Sequence, residues 1–66
     1  MDIKTLNKVN RLIHDGYIAV KNNDMVGMNT ARGKLIVLLI GSEDLKTALS
    51  EFDKTMYYYY NTFYCL

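Results

Sequence analysis

Apolar residues recur at alternating intervals of three and four along the first third of the chain. The stripe consists of Ile3, Leu6, Asn10, Ile13, Tyr17 and Val20, and it is widened by Val9 and Leu12. This is the spacing of a helix with one buried face, with polar Asn10 at one inward position. Asp2 is placed to cap the N-terminus, and the Asn22-Asn23 pair to end the helix, because Asn tolerates the left-handed conformation. The pattern predicts a first helix from about Ile3 to Asn22.

A second apolar segment runs from about Met25 to Ile40, and Asp24 is its candidate N-cap. Its residues that suit one helix face are Met25, Met28, Leu35, Leu38 and Leu39. From Leu35 to Ile40 the chain is apolar without interruption, and periodicity cannot distinguish a buried helix from a buried strand there. No partner strand is evident elsewhere, and a lone strand would leave its backbone groups unpaired. The segment is therefore predicted to be a helix.

A third helix is predicted to follow Gly41, which suits the residue just past a helix C-terminus. Ser42 is the expected N-cap of this helix, and Glu43 and Asp44 complement the helix dipole in its first turn. Its apolar stripe has a period close to 3.6 and contains Leu45, Ala48, Leu49, Phe52, Met56, Tyr59 and Phe63. Four tyrosines lie off the stripe: Tyr57, Tyr58, Tyr60 and Tyr64.

These segments predict an all-α fold, a three-helix up-down-up bundle in which residues 1–66 form a single helical domain. The chain contains no proline, so nothing interrupts long helices. Gly16 weakens the first helix and is interpreted as a place where another helix approaches closely. A chain of 66 residues is short for a stable core, and its only cysteine excludes an internal disulfide. Homo-oligomerisation is therefore expected to complete the bundle.

Charge and hydropathy narrow the classes of partner. The net charge is +1, which gives no strong case for a nucleic-acid partner. The longest apolar run has six residues, from Leu35 to Ile40, far short of the roughly 20 that a membrane helix needs. The N-terminal segment is charged and lacks the apolar core of a signal peptide. These features predict a cytoplasmic protein with a reduced Cys65 thiol.

The sequence carries no motif that indicates an enzyme, a cofactor or a metal. The segment from Gly27 to Lys34 resembles a phosphate-binding loop, but five residues separate its glycines where four are needed, and Leu35 follows the lysine. His14 is the only histidine, and no carboxylate is spaced to join it in a metal site. Cys65 has no neighbouring group that would activate its thiol. We therefore predict a protein that is not an enzyme.

The tyrosine-rich C-terminal segment favours binding, because tyrosine combines a large ring, low rotamer entropy and a hydroxyl group. The leading hypothesis is an inhibitor, adaptor or chaperone-like protein that docks a partner protein through the aromatic face of the third helix. Its predicted anchors are Phe52, Met56, Tyr59, Tyr60 and Phe63.

An alternative hypothesis is an oligomeric protein that sequesters a nucleotide-like signal molecule. Tyr17 or a tyrosine of the C-terminal segment would stack on the base, while Arg11, Arg32 or Lys34 would hold the phosphate. The small size of the chain and its lack of catalytic residues resemble the accessory proteins of phages and mobile elements. Such proteins occupy a host protein or sequester a signal molecule.

A further resemblance rests on the stretch from Ala19 to Leu39, followed by Leu45 and the aromatic cluster from Phe52 to Tyr60. Together these segments resemble the flagellin-chaperone family of helical bundles, which carry a comparable acidic turn, an Asn-containing helix and a later Tyr-rich helix. The chain lacks the long first helices and the central loop of that family. The resemblance implies a groove that holds an amphipathic helix of an export substrate.

Overall fold

The computed structural model describes residues 1–65, which form three α-helices and no strand. Their bounds are α1 Ile3–Lys21, α2 Met25–Leu39 and α3 Leu45–Tyr64. The all-α prediction is confirmed, and so is the helical assignment of the long apolar run in α2. The N-caps predicted at Asp2 and Asp24 are also confirmed. The Asp2 carboxylate accepts a hydrogen bond from the Thr5 amide at 2.7 Å, and the Asp24 carboxylate accepts one from the Gly27 amide at 2.9 Å.

Each of the two connections between helices contains a residue with a left-handed backbone conformation. Asn23 has φ 57°, and Gly41 has φ 81°, so both stops are confirmed. The predicted start of the third helix is wrong, because α3 begins at Leu45. The Ser42 hydroxyl accepts a hydrogen bond from the Asp44 amide at 3.1 Å, and this closes a turn ahead of the helix. Ser42 therefore shapes the connection without capping α3.

The buried face of α1 is rotated from the predicted stripe. Its buried residues are Val9, Gly16, Ala19 and Val20. Asn10 is exposed, and Ile3 is 77% exposed, so the prediction that both point inward is wrong. The structure instead centres the face on small residues near Gly16, because these allow α3 to approach closely.

One large side chain from each helix is fully buried at the centre of the core: Val20 of α1, Leu35 of α2 and Phe52 of α3. Leu39 is also buried, so part of the apolar run of α2 packs within the chain. On the opposite side of α2, Val37 is 72% exposed. No described helix has the length and apolar character needed to cross a membrane.

α1 and α3 are joined at their C-terminal ends by a tyrosine. The Tyr64 hydroxyl donates a hydrogen bond to the backbone carbonyl of Val20 at 2.7 Å, and the Lys21 carbonyl oxygen lies 3.0 Å from it. The last carbonyls of a helix lack partners within the helix. The Val20 carbonyl also accepts a hydrogen bond from the Asn23 amide at 3.0 Å, so the Tyr64 hydroxyl is its second donor. It also holds the tyrosine-rich end of α3 against the rest of the bundle.

Candidate binding groove between α2 and α3

A groove of about 500 Å³ opens between α2 and α3, next to the C-terminal end of α1. We call it the α2–α3 groove. Its lining residues are Val20, Asn23, Met25, Met28, Asn29, Arg32, Asp53, Met56, Tyr57 and Tyr60. A volume of this size lies in the range of sites that hold small molecules or several apolar side chains.

The charged pair in the groove links its two walls. Arg32 of α2 donates two hydrogen bonds to the Asp53 carboxylate of α3, from Nε at 2.8 Å and from Nη2 at 3.0 Å. This two-point geometry is the stronger form of an Arg–carboxylate contact. Hydrogen bonding from Arg32 lowers the pKa of Asp53, and hydrogen bonding to Asp53 raises the pKa of Arg32. The pair therefore stays ionised at neutral pH and fixes the position of two opposite charges in a mostly apolar groove.

Methionine and tyrosine form most of the apolar surface of the groove. Met25 is 39% exposed, Met28 is half-buried, and Met56 lies beneath them in the core. Methionine is unbranched and polarizable, so a surface built from it adapts to ligands of different shape. Tyr57 is 71% exposed and Tyr60 is 40% exposed. Their rings offer a flat apolar surface with a hydroxyl group, as in binding hot spots.

A separate aromatic cluster packs between α1 and α3. The ring centroid of Tyr17 lies 4.6 Å from that of Tyr59 in an edge-to-face arrangement and 5.9 Å from that of Phe63. All three side chains are half-buried. Such pairs add to stability beyond the burial of their area. This cluster mainly joins helices, and none of its rings lines the α2–α3 groove.

The five predicted anchors are consequently divided among three environments. Phe52 is 0% exposed and packs in the core. It has no surface that a partner could contact, so it is removed from the predicted anchors. Met56 is 4% exposed and contributes only to the floor of the groove. Tyr59 and Phe63 belong to the half-buried cluster. Tyr60 is the one predicted anchor that is both exposed and part of the groove.

The residues of the alternative ligand set are not gathered in one place. Arg32 lines the groove, whereas Tyr17 lies in the aromatic cluster, and Arg11 and Lys34 are exposed elsewhere. A tyrosine of the C-terminal segment does lie with Arg32, because Tyr57 and Tyr60 share the groove. The alternative therefore reduces to these groove residues.

Most of the α2 wall of the groove was not predicted from the sequence. Met25, Asn29 and Arg32 recur at intervals of four and three, and so do Asp53, Tyr57 and Tyr60 on α3. These two short stripes lie beside the core faces, and each carries one charge of opposite sign. The matched spacing and charge were the signal that could have indicated the groove.

A second, smaller groove of about 290 Å³ lies between the N-terminal parts of α1 and α3. Its lining includes apolar Leu6 and Ile13 together with the carboxylates of Asp44 and Glu51. Among residues 1–65 no three His, Cys, Asp or Glu side chains cluster in a way that could hold a metal ion. Both grooves thus offer shape, apolar area and charge for binding.

No protein-family model, curated protein or solved structure matches this chain. The resemblance to flagellin chaperones gains no support from these comparisons. The function is therefore argued from the groove and its residues.

Proposed function

We propose that the protein works by binding, and that an apolar segment of a partner protein occupies the α2–α3 groove. The observation that carries the proposal is the exposed Met–Tyr surface around a fixed ion pair. Tyr57 keeps 71% of its surface exposed while it lines a concave site. Large exposed apolar side chains that surround a concavity are typical of interaction sites. Inhibitors, adaptors and chaperones all act by occupying such a site.

The shape and chemistry of the groove favour a helical segment. The groove lies between two helices, and an amphipathic helix lays its apolar face into a groove of this kind. Met25 and Met28 adapt to the side chains that enter, while Tyr57 and Tyr60 supply hot-spot contacts. The Arg32–Asp53 pair offers one donor edge and one acceptor edge to polar groups that flank the apolar face. This combination fits a partner helix that has a narrow apolar stripe flanked by both hydrogen-bond donors and acceptors.

Site-specific photo-cross-linking in the cells of origin tests the proposal. A photoreactive phenylalanine replaces Tyr57 in one variant and Tyr58 in another. The two positions are adjacent and similarly exposed, at 71% and 64%, but only Tyr57 lines the groove. A defined protein adduct from position 57 and none from position 58 is the expected result. Equal adducts from both positions, or none from position 57, would contradict it.

A second candidate function is sequestration of a nucleotide-like anion in the same groove. It is favoured by one observation, which is that Arg32, Tyr57 and Tyr60 line a single concavity. Stacking on a tyrosine together with a phosphate contact to arginine is a common way of binding nucleotides. Against it, Asp53 already occupies the guanidinium of Arg32 with two hydrogen bonds. A phosphate would have to displace or share that carboxylate.

Native mass spectrometry of the protein as purified from its cells separates the two candidates. A bound small molecule, together with a thermal shift by nucleotides that Arg32→Ala abolishes, would favour sequestration. A chain that carries no added mass and shows no shift across a broad nucleotide panel would favour the protein partner. Homo-oligomerisation is compatible with both candidates, and the same spectrum gives the number of copies in the assembly.

A further inference from the structure

α2 is apolar on two opposite faces. Within Met25–Leu39 only Arg32 and Lys34 are charged. One face packs into the core through Ala31, Leu35 and Leu39. A helix that is hydrophobic on all sides is normally buried on all sides. One face of α2 nevertheless points away from the bundle.

The outward residues of this helix form a narrow line. We call it the outer seam of α2, and it consists of Val26, Gly33 and Val37 of the helix together with Ile40, its C-cap residue. At about 100° per residue these four positions fall within about 60° of the helix circumference, opposite Leu35. The exposed fractions of the three large side chains are 78%, 72% and 73% for Val26, Val37 and Ile40. Gly33, Val37 and Ile40 follow one another at intervals of four and three, and exposed Thr30 lies between Val26 and Gly33 on the same line. This is the spacing of a helix seam that packs against another helix.

The glycine in the middle of the seam has no steric role within one chain. A Cβ atom at Gly33 would meet no atom within 4 Å, whereas a Cβ atom at Gly16 would collide with α3. Glycine weakens the middle of a helix. It is useful there when the backbone of another helix has to come close. The contact that explains Gly33 is therefore one that a single chain does not make.

The two ends of the seam are arranged to match each other. Val26 and Ile40 lie seven positions before and seven positions after Gly33. A two-fold axis through Gly33 would place Val26 of one copy against Ile40 of the other, and the reverse on the far side. Interfaces of two-fold dimers require this self-complementarity. We propose that two copies of this chain pair antiparallel through the outer seam of α2, with the helices crossing at Gly33.

The helix dipole favours the antiparallel orientation. Antiparallel pairing sets the positive end of each helix dipole beside the negative end of the other, whereas a parallel pair would bring like dipole ends together. Side-chain charge does not select the orientation, because Lys21 and Asp24 are both exposed at the N-terminal end of α2 and cancel each other.

This interface is independent of the proposed groove function. None of the seam residues lines the α2–α3 groove. A dimer formed through the seam leaves Tyr57 and Tyr60 accessible on each copy. A failure of one proposal therefore leaves the other standing, and the experiments distinguish them.

Sedimentation equilibrium of the full chain, from micromolar to millimolar concentration, tests the interface. We expect a reversible dimer for the wild type. Val37→Lys should raise the dissociation constant at least about tenfold, because the charge would be buried without a partner. The matched control is Ile3→Lys on α1, where Ile3 is 77% exposed and outside the seam, and this change should leave the constant within about twofold. Gly33→Leu provides a second variant, since Leu is a good helix former that blocks the close approach.

A wild type that remains monomeric to millimolar concentration would overturn the proposal. So would a dimer that neither Val37→Lys nor Gly33→Leu weakens. Circular dichroism of each variant verifies that the helices persist.

Disulfide trapping tests the orientation. In a Cys65→Ser background, Val26→Cys and Ile40→Cys variants are mixed and oxidised. An antiparallel pair predicts cross-links between position 26 of one copy and position 40 of the other. Cross-links that join only like positions, 26 to 26 and 40 to 40, would overturn the antiparallel arrangement. Products are identified by the mass of the linked peptides.

Discussion

Gly16 of α1 and Met56 of α3 lie so close that a Cβ atom on the glycine would be 2.8 Å from the methionine sulfur. The same atom would lie 2.9 Å from the ring of Phe52. The thioether of Met56 is able to rotate away. The Phe52 ring is not, because it is 0% exposed and packed on all sides. The glycine therefore sets the distance between α1 and α3.

Gly16→Ala should lower the free energy of unfolding, because the cost of overpacking outweighs the gain in helix propensity. Overpacking a core costs about 1–3 kcal/mol, and alanine returns at most about 1 kcal/mol in the helix. A net loss of about 1 kcal/mol would lower the melting temperature of so small a domain by about 4–8 °C. Chemical denaturation measures the change in the free energy of unfolding, and thermal denaturation measures the change in melting temperature.

Gly33→Ala is the matched control, because a Cβ atom there meets nothing within 4 Å. At concentrations where the chain is monomeric it should raise stability by up to about 1 kcal/mol. Equal effects of the two substitutions would contradict the close approach at Gly16.

The Arg32–Asp53 pair predicts a stability that depends on pH. Asp53→Asn removes the charge and should lower the free energy of unfolding by about 0.5–1 kcal/mol at pH 7. The expected change in free energy is small, because the side chains of Arg32 and Asp53 are 37% and 48% exposed and solvent screens their charges. Urea denaturation of the wild type and the variant measures the difference. Glu51→Gln, an exposed carboxylate on the same helix, is the control and should change stability by less than about 0.5 kcal/mol.

The sign of the pH dependence follows from the direction of the shift. Hydrogen bonding from Arg32 holds the pKa of Asp53 in the folded state below its ordinary value of 3.8. The unfolded chain therefore binds the proton first as the pH falls. The stabilisation is fully present above pH 3.8 and is lost as the pH falls from there through the folded-state pKa. A wild-type advantage that stays constant throughout that window would contradict the ion pair.

Two features of the fold show where sequence reasoning succeeded and where it failed. The caps at Asp2 and Asp24 were predictable, because each is decided by a side chain and an amide three residues away. The start of α3 was not, since Ser42, Glu43 and Asp44 form a good capping sequence in isolation. The structure uses Ser42 in the turn after Gly41 and begins the helix at Leu45.

The buried face of α1 and the groove escaped prediction for a common reason. A periodic stripe identifies which residues are apolar, but it does not identify which of them meet a neighbouring helix. Asn10 and Ile3 fit the stripe and are exposed, whereas Gly16 is buried because α3 approaches there. The surplus of tyrosines was evident from the sequence. Prediction of the groove would have required knowing how α2 packs against α3, because that packing places Arg32 against Asp53.

Tyr64→Phe should loosen the end of α3. The hydroxyl donates to the Val20 carbonyl at 2.7 Å and lies 3.0 Å from the Lys21 carbonyl oxygen. Loss of this contact should cost about 0.5–1.5 kcal/mol. The Val20 carbonyl keeps its hydrogen bond from the Asn23 amide at 3.0 Å. Amide hydrogen exchange should accelerate in the last turn of α3 and little elsewhere. Tyr57→Phe, whose ring is 71% exposed, is the control, and comparable acceleration in that variant would contradict a specific role for Tyr64.

Tyr60→Ala should weaken binding of the partner protein without loss of helicity. Tyr60 is 40% exposed in the α2–α3 groove, and truncation of a tyrosine hot spot costs about 2 kcal/mol or more, which is more than tenfold in affinity. Alanine is the better helix former, so circular dichroism should show the same helical content.

The affinity is measured by calorimetric titration against the protein that cross-links from position 57. Tyr58→Ala is the control, because Tyr58 is 64% exposed yet does not line the groove, and its affinity should stay within about twofold. Unchanged binding by Tyr60→Ala, or equal losses in the two variants, would place the contact outside the groove.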